Sequence, residues 1–375
     1  MLNRLGQSIP PILVSDSVRR LPLKKRLLTL SVFLMGASFL VLATTWYCLD
    51  GQHPGWLPIL FLTVYGFFFF CVGVHNLSQS LLYGKLVTVT TRGRLMLIST
   101  CLGSVAAITC AWFLMRGWLS QGSRSFFWMF LFTGSAFWIA TFVSVWLSES
   151  RDESNGDRQN LGQTIQGIKK VMAQNANFRR LAFIVACYGF SITLFPHYQA
   201  YVRQNLSLGL ESFVPWVIAQ NIGAAAFSVP LGSIADRFGN RLAMNLTMLM
   251  LCIAPALSMV WLHFGDGSQS GFYMVFFLLG LTPVAMRTFS NYTLEIADAN
   301  QQPIYLSTLG ACMAVPVVTL SALVGWAIDQ FGFEPMFLTV IAMLIVGWSL
   351  TFRLDEPRSN DPNKPTSPLQ SATIN

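Results

Sequence analysis

Charge is what this 375-residue chain has least of. Asp, Glu, Lys and Arg together make up 11% of it, less than half of the roughly 25% found in a soluble globular domain. The 24 basic and 16 acidic residues are also bunched, leaving ten charge-free runs of at least 18 residues: 27–49, 51–84, 95–115, 125–148, 181–202, 212–235, 242–265, 267–286, 299–328 and 335–352. A helix needs about 20 apolar residues to cross a bilayer core. Ten such runs at a mean hydropathy of +0.53 exclude a soluble enzyme, a disordered chain and a secreted disulfide scaffold. The seven cysteines show no CxxC or other ligand spacing, and the four histidines (His53, His75, His197, His263) are scattered. No metal site and no cofactor is expected. A P-loop is absent, so no ATP coupling resides in this polypeptide. Acidic groups are missing from the helix cores apart from boundary positions such as Glu295, so no proton-relay carboxylate is visible. A cleavable leader is not expected either, because residues 1–26 carry six basic residues and their apolar stretch is broken by Pro10 and Pro11.

What is present is a polytopic, all-α membrane protein. A β-barrel would alternate apolar and polar residues over ~10 positions, whereas Phe67 to Phe70 run consecutively inside a longer apolar block. The surplus of basic residues is a topology signal. With helices dividing the chain into alternating loops, 21 of the 24 Lys and Arg fall on one side, and only Arg116, Arg124 and Arg203 on the other. The positive-inside rule places both termini in the cytoplasm, in the cell (inner) membrane. The lipid bilayer is the expected partner, nucleic acid is not, and the expected state is a monomer.

The polar segment 149–180 separates four spans from six. Within it Leu161, Ile165, Ile168 and Met172 share one helical face beside Lys169 and Lys170. That pattern fits a helix lying on the membrane surface, or a short soluble helix in a linker. The organisation read from this is a first bundle over 1–148, a cytoplasmic linker over 149–180, a second bundle over 181–354 and a disordered tail over 355–375.

At the junction of the sixth and seventh runs, Gly232, Asp236, Arg237, Gly239, Asn240 and Arg241 read G-x-x-x-D-R-x-G-N-R. Gly232 permits close backbone approach and Gly239 a positive φ after a helix end. The pattern resembles the signature loop of the major facilitator superfamily of secondary transporters, with Asn240 where a basic residue is usual. Pro196, His197 and Tyr198 near an outer helix end, and Gly325, Asp329 and Gly332 closing the next-to-last run, resemble further landmarks of that family. The resemblance implies two six-helix bundles related by a pseudo-two-fold axis. A repeat at an offset of about two hundred residues supports it: Leu97 to Gly103 echoes Leu306 to Gly310, and Pro11 to Asp16 echoes Pro230 to Asp236. Residues 9–26 then correspond to the end of a second helix and a degenerate signature loop. The first two of twelve helices have no counterpart, giving an architecture of four plus six transmembrane helices. Either the chain is truncated or it is a ten-helix variant.

Polar groups deep in helices are the candidates for a substrate cavity. Gln220 and Asn221 lie about 12–14 Å into their helix at 1.5 Å per residue, although a hydrogen bond to a neighbouring helix explains them equally. His75, Asn76 and Gln79 share a helix at helical spacing, as a gate or as structural groups. Arg287 begins a stripe continued by Asn291 and Glu295, with snorkelling to the inner interface as its alternative. His197, Tyr198 and Tyr201 suit an aromatic belt. The resemblance implies that Asp236, with Arg237 and Arg241, forms a conformational latch against the helix start near Gln302, Pro303 and Ile304. The function expected is secondary or facilitative transport of a small solute by alternating access. The rivals are a non-transporting remnant and an integral-membrane lipid-modifying enzyme.

Overall fold

A backbone in lipid must satisfy its own amides, so each charge-free run closes into helix. The computed structural model describes residues 2–49, 52, 54–88, 91–119, 124–152, 161–206, 213–264 and 270–357, and among these there is no strand. The first bundle contains α1 (Leu2–Arg20), α2 (Lys25–Leu49), α3 (Leu57–Leu86), α4 (Arg92–Cys110), which continues through a π-helical turn (Ala111–Met115) into α5 (Arg116–Leu119), and α6 (Arg124–Val145). After α7 (Leu161–Gln174) the second bundle runs α8 (Ala176–Ile192), α9 (Phe195–Leu206), α10 (Phe213–Phe238), α11 (Asn240–Leu251), α12 (Ile253–Phe264), α13 (Ser270–Leu279), α14 (Leu281–Ile296), α15 (Gln302–Phe331) and α16 (Phe333–Thr351). Among the described residues, ten spans are long and apolar enough to cross a membrane, several of them built from two consecutive helices. The side holding the end of α1, the start of α4 and Gly239 is called the basic side below.

The two bundles are unequal. Most of the buried core belongs to the second, where Tyr188, Trp216, Phe276, Phe289, Tyr292 and Phe337 are fully enclosed. The first is a thinner layer whose aromatic rings interlock, Phe39 against Phe68 at 4.9 Å and Phe39 against Phe137 at 6.1 Å. Two seams join the bundles, α4 against α10 and α1 against α15.

One expectation needs correction. Residues 9–20 are the end of a helix followed by a loop, but that helix, α1, already runs from Leu2 and carries Pro10 and Pro11 inside it. Arg4 is therefore not in a loop on the basic side. It lies 16 residues up the helix from Arg20, about 24 Å at the helical rise. The linker's helical face is borne by α7. In α7 Thr164 is buried while Ile165 is 49% exposed, and Val171 and Met172 pack on the second bundle's core. It rests on the basic-side ends of α8 and α15. The tail beyond 357 lies outside the described residues.

The segment leaving α6 is fastened back onto the first bundle. Glu149 accepts from the backbone amides of Lys24 (3.0 Å) and Lys25 (2.8 Å) and from Lys85 Nζ (2.9 Å), while Asp152 pairs with Lys24 and Lys85. The carboxylate thereby caps α2. Burial alone would push the Glu149 carboxyl up, but Lys85 and the amides of Lys25 and Lys24 hold it below its ordinary value. Its stabilisation is thus complete above the unfolded carboxylate's pKa and fades as pH falls through the lowered folded value. Glu149→Gln should destabilise the folded protein by about 1–3 kcal/mol at neutral pH, the cost of buried donors left without a charged acceptor. Thermal unfolding in detergent checks this, and the gap to wild type should narrow in acid.

Candidate functional site

Three helical stripes converge between the bundles. On α1, Gln7, Ser8 and Pro11 face inward at i, i+1 and i+4 spacing. On α3 the stripe is Gly73, Asn76, Leu77, Ser80 and Tyr83, with Gln79 beside it. On α14 it is Arg287, Ser290, Asn291 and Leu294, with Pro283 and Met286 above. Positions three and four apart share a helix face, so each stripe presents a polar strip towards the facing bundle. Together with Leu306, Gly310 and Met313 of α15 they enclose a cavity of about 260 Å³.

Its floor towards the basic side is apolar. Leu77, Leu294 and Leu306 line the cavity and cluster with Val18 and Leu81, drawing on α1, α3, α14 and α15. Both bundles thus contribute to one plug. Above it, Ser8 donates to the Gly310 carbonyl at 3.2 Å, a direct bond across the α1–α15 seam. Tyr188, fully buried on α8, donates to the Thr282 carbonyl at 2.8 Å next to Pro283.

Of the seven residues proposed from sequence, the cavity brings together Asn76, Gln79, Arg287 and Asn291. His75, Gln220 and Asn221 do not line it. Asn221 donates to its own helix at Val217 (2.8 Å), and Gln220 lies where α10 meets Gly280. Arg287 does not snorkel to the interface. It reaches across to the hydroxyls of Ser99 (3.4 Å) and Thr100 on α4, bridging the bundles. Gln7, Ser8, Tyr83 and Ser290 were missed. Ser290 was readable as i+3 from Arg287, but Gln7 and Ser8 were hidden by reading α1 as a loop remnant.

The signature loop is also rearranged relative to expectation. Asp236 does not meet the start of α15. Its two carboxylate oxygens accept from the backbone amides of Gly93 (2.8 Å) and Arg94 (2.9 Å), the second and third residues of α4 in the other bundle. An anion there satisfies orphan amides and meets the positive end of the helix dipole. Arg241 donates to the Phe352 carbonyl (2.7 Å) within its own bundle, and Arg237 is exposed. Asn240, where a basic residue was expected, is buried and donates to Glu295 Oε1 at 2.8 Å. Gly239 has φ +97°, in the left-handed region that favours glycine.

Two bundles of spanning helices that close around a polar cavity from one side define a membrane transporter rather than an enzyme. The chain belongs to the Major Facilitator Superfamily, whose family model matches residues 181–374. Solved structures extend the likeness of fold over both bundles. The proton:xylose symporter XylE bound to 6-bromo-6-deoxy-D-glucose gives a TM-score of 0.73 at 12% identity, covering 96% of this chain and 87% of that one. The human organic anion transporter MFSD10 (TETRAN) gives 0.70 at 14% identity, covering 93% and 82%. The fucose:proton symporter FucP of E. coli gives 0.69 at 13%, covering 95% and 89%. No curated protein sequence matches the chain.

A Cβ on Gly93 would collide with the Gly232 carbonyl and the Asp236 carboxylate. Gly93→Ala should therefore part α4 from α10 on the basic side. A cysteine introduced at Leu81, at the plug, is expected to react several-fold faster with a bulky maleimide in that variant, as measured by gel-shift labelling of protein otherwise free of cysteine.

Proposed function

We propose that this transporter moves a small solute across the cell membrane by alternating access, with the basic side, which holds the ends of α1 and α16, in the cytoplasm. Arg4, near the start of α1, lies about 24 Å from that side, so the expected cytoplasmic placement of both termini is not retained. The observation that carries the reading is the closure of one mouth by groups that belong to different bundles. The Asp236 cap on α4 and the leucine plug hold only while the bundles meet there, so a rocking motion that parts them opens the cavity to that side. The form described here is the one closed to the cytoplasm. Asn76, Gln79, Arg287 and Asn291 are the proposed solute contacts, and Gly232, Asp236 and Gly239 the latch. Arg241 ties the loop to the end of α16, and Arg237 is exposed beside it. The volume of the cavity, slightly below the 300–1,000 Å³ of typical ligand pockets, suits a metabolite-sized solute. Protein-dependent uptake of a labelled metabolite mixture into proteoliposomes tests the reading against a non-transporting remnant, and an inert protein that folds correctly would overturn it.

The orientation is supported by the asymmetry of basic residues. In a protein otherwise free of cysteine, Gln52→Cys should react with an impermeant maleimide added to intact cells and Gln166→Cys should not. The opposite pattern would reverse the topology.

For the latch, a charge at a helix N-terminus gains about 0.3–1 kcal/mol, and up to ~2 when partly buried. Asp236→Asn keeps the shape but removes the charge and one acceptor. A loss of ~1–2 kcal/mol should move the conformers about 5- to 30-fold towards the cytoplasm-open form. Spin-label distances across the cytoplasmic mouth check this, and an unchanged distribution in well-folded protein would sink the latch.

A further inference from the structure

We propose that the segment leaving α16 is a strap that positions the latch, with Glu356 as its positioning residue, an inference that rests on the latch reading above. The strap is held by its main chain. Leu354 is buried in the core of the second bundle. Just before it, the carbonyls of Phe352 and Arg353 accept from Arg241 and Arg180, each at 2.7 Å. Just after it, the Asp355 amide donates to Asn177 Oδ1 at 3.0 Å, and the Asp355 carbonyl accepts from the fully buried Tyr292 hydroxyl at 2.6 Å. These bonds tie the strap to the starts of α8 and α11 and to α14. A backbone fixed in this way leaves the next side chain little freedom of place. That side chain is Glu356, and its carboxylate fills the space over Gly239, where a Cβ would collide with it.

Gly239 stands between the latch and α11. Its amide closes the last turn of α10 on the Ala235 carbonyl at 3.2 Å, next to Asp236, and α11 begins at the following residue. A carboxylate at that point faces the positive end of the α11 dipole. The same device appears at the offset of the internal repeat. Glu149, in the segment leaving α6, holds the start of α2 through the amides of Lys24 and Lys25, and α6 and α2 are the counterparts of α16 and α11. Strap and loop belong to one bundle and move together, so their contact by itself favours neither form of the transporter. What the strap supplies is preorganisation: a loop already in place need not be ordered when Asp236 meets α4. Without the strap, that ordering cost falls on the closed form alone.

The test uses full-length protein otherwise free of cysteine, with spin labels on Thr88→Cys and Gln301→Cys, exposed positions of opposite bundles on the basic side. Glu356→Ala should shift the ratio of conformers about two- to fivefold towards the cytoplasm-open form, the effect of ordering part of one residue. Tyr292→Phe, which releases the Asp355 carbonyl and leaves Gly239 intact, should shift it in the same direction. Because the strap acts through the latch, neither variant should add to the shift of Asp236→Asn when combined with it. Should Glu356→Ala fail to fold, Glu356→Gln carries the same readout. A strap that only stabilised the fold would lower the Tm and leave the ratio unmoved. That result, or shifts that add in full to the shift of Asp236→Asn, overturns the proposal. A shift with Asp236→Asn and none with Glu356→Ala counts against the strap alone, whereas no shift with either removes the latch and the strap with it.

Discussion

Helices α4 and α10 come within backbone contact on the basic side because Gly93 has no side chain, and the Asp236 carboxylate fills the space that a side chain would take. That contact does two things with one group. It satisfies two of the four amides that every helix start leaves open, and it does so from the other bundle. A cap supplied by the same helix would stabilise α4 whatever the bundles do. A cap supplied in trans ties the stability of α4's first turn to the position of α10. The leucine plug beside α1 and α15 follows the same rule, because its members come from both bundles.

Arg287 extends this logic into the cavity. A guanidinium there is costly unless its donors are paired, and the hydroxyls of Ser99 and Thr100 pair some of them across the α4 seam. Parting the bundles would remove those acceptors. The same residue thus belongs to the cavity wall and to the contact between bundles. A solute that engages it differently in the two arrangements would bias their equilibrium, which is the requirement for any ligand-driven shift.

The parts of this structure legible in the sequence are those set by one residue at a time. Exclusion of charge from hydrocarbon marks each span independently, and the ten runs reappear as the ten spans, from Lys25–Leu49 to Phe333–Thr351. The stripe of Arg287 and Asn291 was readable for the same reason. α1 was legible only at its end, since two prolines and Arg4 mask its first half. Pairings were legible only up to symmetry. Asp236 was expected at the start of α15 and is found at the start of α4, the helix that α15 echoes in the internal repeat. Sequence identified the kind of partner, a helix N-terminus, but distinguishing the two copies needs the geometry of the seam. His75 and Gln220 show the converse limit: depth along a helix can be counted, whereas the direction a side chain faces depends on how that helix is rotated in its bundle.

The strength of the closing contacts suits a switch better than a lock. A charge at a helix start contributes about 1–2 kcal/mol at most, and one interbundle hydrogen bond such as that from Ser8 adds about 0.5–1.5 kcal/mol. Moving a two-state equilibrium from 1:99 to 99:1 takes about 5.5 kcal/mol of differential binding. The cap and this bond together stay below that figure, so neither would by itself hold the bundles against a ligand of modest preference for the parted form. Replacing the weak cap with a buried ion pair would raise the barrier to opening by the cost of exposing or separating two charges, several kcal/mol for a desolvated pair. A cap made of one carboxylate and two amides avoids that cost, because its amides can return to water or to a neighbouring carbonyl when the seam opens. The pairs of Lys85 with Glu149 and Asp152 lie within one bundle, whereas the seam between the bundles carries Gly93, the leucine plug and the Asp236 cap.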